Sequence, residues 1–167
     1  MRVGRYALGV SLILCAGAAI AATAKDDADP LAKGTIWKGK LTQKGKIEGK
    51  EEPLTLEATL TITKREGTEF WGDLYEKGAG TVEIELTYLV RGNVVPATEG
   101  KDFTVKFTSE NSRDAKSRVF LKVPYTGTLA GKTLTGTWKH QDDVLGAAIE
   151  GDFSLELKGE AGGRDID

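Results

Sequence analysis

The sequence predicts an all-β protein: an antiparallel up-and-down β-barrel of about eight strands, with a two-sheet β-sandwich as the alternative. Three observations predict it. Apolar residues alternate with charged or hydroxyl residues in one segment after another, most sharply over residues 54–64. There Leu54, Leu56, Ala58, Leu60 and Ile62 share one face, and Thr55, Glu57, Thr59, Thr61 and Thr63 share the other. Glycine-bearing turns separate most of these segments. No stretch sustains a helical period between caps.

The chain opens differently. Arg2 and Arg5 precede an apolar run over residues 6–22, and Ala22-Thr23-Ala24 is an A-x-A-like cleavage site. Residues 1–24 therefore read as a bacterial signal peptide, which places the protein in a secreted or periplasmic location with no membrane span after cleavage. Cys15 lies inside the apolar run and follows Leu14, whereas a lipid-carrying cysteine follows a small residue. It reads as part of the removed segment, ahead of a lipoprotein anchor. Since Cys15 is the single cysteine, the mature chain is expected to have neither a disulfide nor a thiol nucleophile. Cleavage lowers Lys plus Arg from 23 to 21, against 25 Asp plus Glu, for a net charge of −4. That is ordinary solubility charge, and with no basic patch interleaved with aromatics it argues against nucleic acid as a partner.

Residues 25–33 carry Asp26, Asp27, Asp29 and Pro30 and read as a flexible N-terminal segment. Residues 34–158 form the barrel domain, and residues 159–167 a flexible C-terminal tail. The first strand is expected over 34–42, with Trp37, Gly39 and Leu41 on one face. Residues 43–53 mix lysines and glutamates and read as a solvated loop. After the strand at 54–64, Arg65-Glu66-Gly67-Thr68 is a hairpin turn in which Gly67 supplies a positive φ. A third strand runs over 69–75, and Lys77-Gly78-Ala79-Gly80 turns the chain again. The fourth, 81–90, sets Val82, Ile84, Leu86 and Tyr88 against Glu83, Glu85 and Thr87, and Arg91-Gly92-Asn93 breaks it. Phe103, Val105 and Phe107 form a fifth strand.

The sixth strand spans residues 117–129, with Val119, Leu121, Val123 and Tyr125 on one side and Pro124 marking an edge, a bulge or a bend. Residues 133–139 and 149–158 complete the set, joined by a loop that contains His140. Connections are mostly short and strands are sequential neighbours, so a meander of eight brings the first and last strands together, and closing it removes the exposed edges. That favours the barrel over the sandwich.

Gly34-Thr35-Ile36-Trp37 resembles the glycine and tryptophan that open the first strand of lipocalin and avidin-like proteins, the calycin group. Thr135-Gly136-Thr137-Trp138, followed by Gly151-Asp152-Phe153-Ser154-Leu155, is similar to the late hairpin of small bacterial barrels of that kind. Two residues separate glycine from tryptophan here, where the calycin spacing is usually one. The resemblance implies an up-and-down barrel whose mouth or interior holds a small molecule. It implies no particular site residues.

Trp37, Trp71 and Trp138, with Phe103 and Phe153, are the candidate ligand-binding residues, because each gives a large apolar wall to a cavity. The same side chains can instead fill the interior or plug one end of it. Gly39, Gly72 and Gly136 share faces with bulky residues and leave room for a guest or for a neighbouring ring. His140 with Asp142 and Asp143 is the one place a metal or a base suggests itself, but no second histidine or thiolate converges on it, and a solvated loop is the preferred reading. Glu66, Glu69, Asp73 and Glu76 raise the possibility of a hydrolytic carboxylate pair, yet four acids beside a hairpin are usually surface charge. The threonine rows follow from β propensity. Nucleophile elbows, phosphate loops, CxxC pairs and HExxH are absent, so neither catalysis nor a cofactor is expected. The expected function is non-enzymatic binding of a small apolar molecule. The alternative is a structural or protein-interaction domain of the cell envelope, working through loops or an open strand edge near Pro124.

Overall fold

The computed structural model describes residues 29–51, 53–79, 83–97, 102–112, 122–143 and 146–160. Residues 1–28, with the expected signal peptide, and residues 161–167 of the expected tail lie outside the described residues, as does the 117–121 part of the expected sixth strand. What is described is β-structure and turns. The strands are β1 (Thr35–Ile47), β2 (Lys50–Glu51), β3 (Leu54–Glu66), β4 (Glu69–Ala79) and β5 (Glu83–Pro96), then β6 (Phe103–Ser112), β7 (Pro124–Ala130), β8 (Thr133–Asp142) and β9 (Ala147–Glu160).

Each long strand pairs antiparallel with the next, and β1 pairs with both β3 and β9, so eight strands close into a barrel. The two-residue β2 is a short flap on the end of β1. Closure is continuous from Trp37 opposite Leu157 to Lys46 opposite Ala148, apart from one gap described below. The sandwich alternative is thereby replaced by a single closed sheet. Pro124 opens β7 opposite Thr108, in the first strand position where a missing N–H costs nothing.

Period-two alternation sorts the side chains into an apolar lumen and a polar outer wall. In β3 the inward row is Leu56, Ala58, Leu60 and Ile62, all buried, while Thr55, Glu57 and Thr63 face out. The wall carries lysines, glutamates and threonines, the reverse of a lipid-facing barrel. Its ion pairs, such as Lys64–Glu66 at 2.8 Å and Lys44–Glu150 at 3.6 Å, are exposed and contribute little to stability.

Inside an eight-stranded barrel there is room for side chains only if bulky and minimal residues alternate. Glycines on the inward rows make that room. The ring of Phe153 lies over Gly127 and Gly136: a Cβ on Gly136 would stand 2.7 Å from its Cζ, and one on Gly127 2.9 Å. Gly92 is wedged between Phe70 and Phe107 in the same way. This explains two departures from the expected boundaries. Arg91-Gly92-Asn93 does not break β5, and Gly78 does not end β4, because both glycines are wall positions against which inward side chains pack. The true turns are elsewhere, as at Gly67, with φ 54°, between β3 and β4.

The barrel has two unlike ends. Where β1 begins, Gly34 N–H donates to the Ile62 carbonyl at 2.8 Å, and Leu31 is completely buried in the core. Arg65 pairs with Asp29 at 2.9 Å, and the Leu31 N–H donates to the same carboxylate at 2.9 Å. The N-terminal segment is thus tied down from Asp29 onward, since one large apolar side chain at its centre has somewhere to go. We call this the closed end. At the opposite end Leu54, Ile84 and Leu86 are only partly buried, and we call it the mouth.

Two substitutions test this account. Gly136→Ala is expected to lower stability by about 1–3 kcal/mol through overpacking against the Thr126 carbonyl of β7 and the Phe153 ring. Leu31→Ala is expected to cost about 2–5 kcal/mol by emptying the closed end. Urea denaturation of the two variants measures both, and a midpoint unchanged from the wild type would contradict the packing described.

Candidate functional site

The inward row of β4 runs Phe70, Gly72, Leu74, Glu76. The last of these is 6% exposed, a carboxyl set in a row that is otherwise apolar. It is not surface charge. The other three acids of the expected cluster lie on different faces: Glu66 pairs with Lys64, Glu69 pairs with Arg91 at 3.0 Å, and Asp73 falls on the outward row. Alternation therefore separates them, and no opposed carboxylate pair forms.

Across the lumen from Glu76, with β5 and β6 lying between on the wall, the Tyr125 hydroxyl of β7 donates to Glu76 Oε1 at 3.3 Å. This hydrogen bond spans the barrel. Tyr88 of β5, opposite Leu74 in the ladder, faces the same space. Burial raises the Glu76 carboxyl from 4.5 to about 7, opposed by the Tyr125 hydrogen bond. Burial likewise pushes both phenols up, and the nearby Glu76 charge adds to it, so Tyr88 and Tyr125 remain proton-bearing donors.

Aromatic rings floor this site. Phe107 stacks on Tyr125 with centroids 4.5 Å apart and planes 4° from parallel. Phe153 meets both edge-on, at 5.9 Å and 6.0 Å. Trp138 stands 6.3 Å from Tyr125, and its indole lies along the wall over Gly151. Its Nε1 donates to the Thr42 carbonyl of β1 at 3.1 Å. That carbonyl is available because the β1–β9 ladder skips between Leu41–Phe153 and Lys44–Glu150, where Thr42 Oγ1 accepts the Asp152 N–H at 3.1 Å instead. A gap in the ladder thus fixes the indole.

The five sequence-predicted ligand residues part company. Trp138 and Phe153 belong to this site. Trp37 is completely buried at the closed end, opposite Leu60 and Leu157, and its Nε1 has no hydrogen-bond partner among the described residues. Trp71 faces outward, because Phe70 and Gly72 hold the inward positions, and it packs beneath Lys64 Nζ at 4.5 Å and Arg91 Cζ at 5.4 Å from its ring centre. Phe103, the first residue of β6, is 36% exposed at the closed end.

His140 is not in a loop. It lies on the inward row of β8 above Trp138, half-buried, opposite Ile149. Burial lowers its pKa and Asp142 opposes the shift. No group of three or more metal-ligating side chains occurs among the described residues.

Exposure divides the lumen. Trp37, Leu60, Phe70, Val105 and Leu134 are 0% exposed, whereas Glu76, Tyr88, Tyr125 and Trp138 retain 5–7%. An outer groove of about 390 Å³ crosses β5, β6 and β7; Lys106 and Glu110 line it, and its Glu69 and Arg91 neutralise each other.

No family model matches the chain, and no curated protein matches it. Five solved chains are similar to it. Among them is the structure of EF1p2_mFAP2b bound to DFHBI, 11% identical, with a TM-score of 0.42, covering 75% of this chain and 93% of that one.

The Glu76 carboxyl makes the fold sensitive to pH in a defined direction. Its pKa is raised on folding, so its contribution is fully favourable below about 4.5 and is lost as pH rises through about 7. The loss amounts to up to about 3 kcal/mol. Glu76→Gln, which keeps an acceptor for Tyr125, is expected to match the wild type at pH 4 and exceed it at pH 8. Urea denaturation at a series of pH values checks this, and parallel pH profiles for the two proteins would contradict it.

Proposed function

We propose that this chain is an exported, non-enzymatic barrel of the calycin type that holds a small, largely apolar molecule in the mouth half of its lumen, with Trp138 and Phe153 among the lining residues. The observation that carries the reading is the acid–phenol bridge between Glu76 and Tyr125 inside an otherwise apolar barrel. A lumen selected only for stability would hold leucine or phenylalanine there, since a buried carboxyl costs free energy that packing does not return. Perturbed groups of this kind gather where a protein has work to do. The partly buried Leu54, Ile84 and Leu86 at the mouth supply apolar surface for a guest to cover.

Export follows from the signal-peptide reading of residues 1–24. The charged outer wall and net acidity fit neither nucleic acid nor a lipid-facing wall. No helix among the described residues is long and apolar enough to cross a membrane. The competing reading, an interaction domain working through its loops or an open strand edge near Pro124, loses that edge to closure of the sheet and is left with the loops.

Native mass spectrometry of the exported protein, purified without denaturation, tests the proposal. The expected result is a fraction carrying an extra small mass that is released on unfolding. That fraction should be reduced in folded Ala58→Leu, which puts bulk on the inward row beside Glu76. A protein adduct in place of a small one would favour the interaction domain.

A further inference from the structure

Resting on the lumen as the ligand site, we infer that the molecule it takes carries a protonated amine on a compact apolar body, and that Glu76 is the counter-ion for that amine. The charge inventory of the inward rows leads there. The described lysines are exposed, and neither Arg65 nor Arg91 faces the lumen, since Arg65 holds Asp29 and Arg91 lies against Glu69 and Trp71. The titratable groups that face Glu76 or stand in the same half are Tyr88 from β5, Tyr125 from β7, and His140 and Asp142 from β8. The β3 neighbour is Ala58, and β6 contributes the hydroxyl of Ser109, which is engaged with the Val123 N–H. Among the described residues the inward rows of the mouth half therefore hold two acids, two phenols and one half-buried imidazole, and no permanent cation.

Such a site discriminates between guests. A neutral apolar molecule gains nothing from a carboxyl that a leucine would not give it, and a neutral hydroxyl is served as well by glutamine. Only a cation turns the desolvation cost of Glu76 into attraction, because it supplies a charge that the described inward rows do not. The Tyr125 hydroxyl already meets the carboxyl, and the Trp138 ring stands next to Tyr125, so aromatic surface of the kind an ammonium group prefers lies in the same half of the lumen. A divalent metal is not the fit, because three converging ligands are not present among the described residues.

The proton balance is definite. Below pH about 7 Glu76 carries a proton. When an ammonium ion binds, the carboxyl O–H bond breaks, the proton passes to solvent, and the carboxylate and ammonium remain as an ion pair. Binding then releases close to one proton at pH 6 and almost none at pH 8. Affinity falls roughly tenfold for each pH unit below the carboxyl pKa.

The test uses the exported full-length mature protein and three probe pairs in which methyl replaces ammonium: benzylamine with ethylbenzene, 2-phenylethylamine with propylbenzene, and tryptamine with 3-propylindole. Calorimetric titration in two buffers of different ionisation enthalpy reads affinity and proton release together. The expected result is that at least one amine binds at pH 8 tenfold or more tightly than its isostere, with that preference shrinking toward pH 5. Glu76→Gln should abolish both the preference and the proton release while remaining folded. Tyr125→Phe, which keeps the carboxyl, should retain the preference. His140→Asn should leave the release at pH 6 in place, since the proton comes from Glu76.

If the isosteres bind as well as the amines, the inference fails and the binding barrel stands. The inference also fails if folded Glu76→Gln keeps the amine preference. If neither member of any pair binds the folded wild-type protein, the lumen reading falls and the inference falls with it.

Discussion

Closure of β1 onto β9 is the constraint from which the rest of the structure follows. Once the first strand has partners on both sides, the sheet has an inside of fixed width, and every inward side chain must share it with those of seven other strands. The glycines under Phe153, beside Phe107 and beneath Trp138 are the local price of that width. They are not conformational hinges. They are the thin places in the wall against which rings can lie, and the resulting aromatic layer divides the lumen into two compartments.

The two compartments follow different physical rules. Toward the closed end, Leu31, Trp37, Leu60, Phe70 and Val105 exclude water completely, which is where apolar burial contributes most to stability. Toward the mouth, a carboxyl, two phenols and an indole N–H share space with partly buried aliphatic groups. Two of these polar groups are held by specific partners: Tyr125 by Glu76, and Trp138 by a carbonyl freed through an interrupted ladder. The molecule thus concentrates its dry apolar packing at one end and its buried polar groups at the other.

The fold was legible because its signal is periodic. The alternation through Leu54, Leu56, Ala58, Leu60 and Ile62 gave strand, face and register together, and sequential hairpins gave the meander. Strand ends were less legible, because Gly78 and Gly92 look like breakers when read alone and become wall positions only once the side chains against them, Leu56 for the one and Phe70 and Phe107 for the other, are known. Glu76 was in plain view and was read by its charge. Its parity with Phe70 and Leu74 was the signal that places it inside, and Trp71 is outside by the same count. The Trp138–Thr42 contact joins residues 96 positions apart through a gap in a ladder, and no local pattern carries that.

The three tryptophans occupy three unlike surroundings: Trp37 dry and without a hydrogen-bond partner among the described residues, Trp71 outside beneath two cationic side chains, Trp138 beside the phenol of Tyr125 with its N–H engaged. Indole emission depends on polarity, nearby charge and quenching neighbours. The chain therefore carries its own spectroscopic gauges, one for each end of the lumen and one for the outer wall, and single-tryptophan versions of the protein would let occupancy of the mouth be followed by light alone.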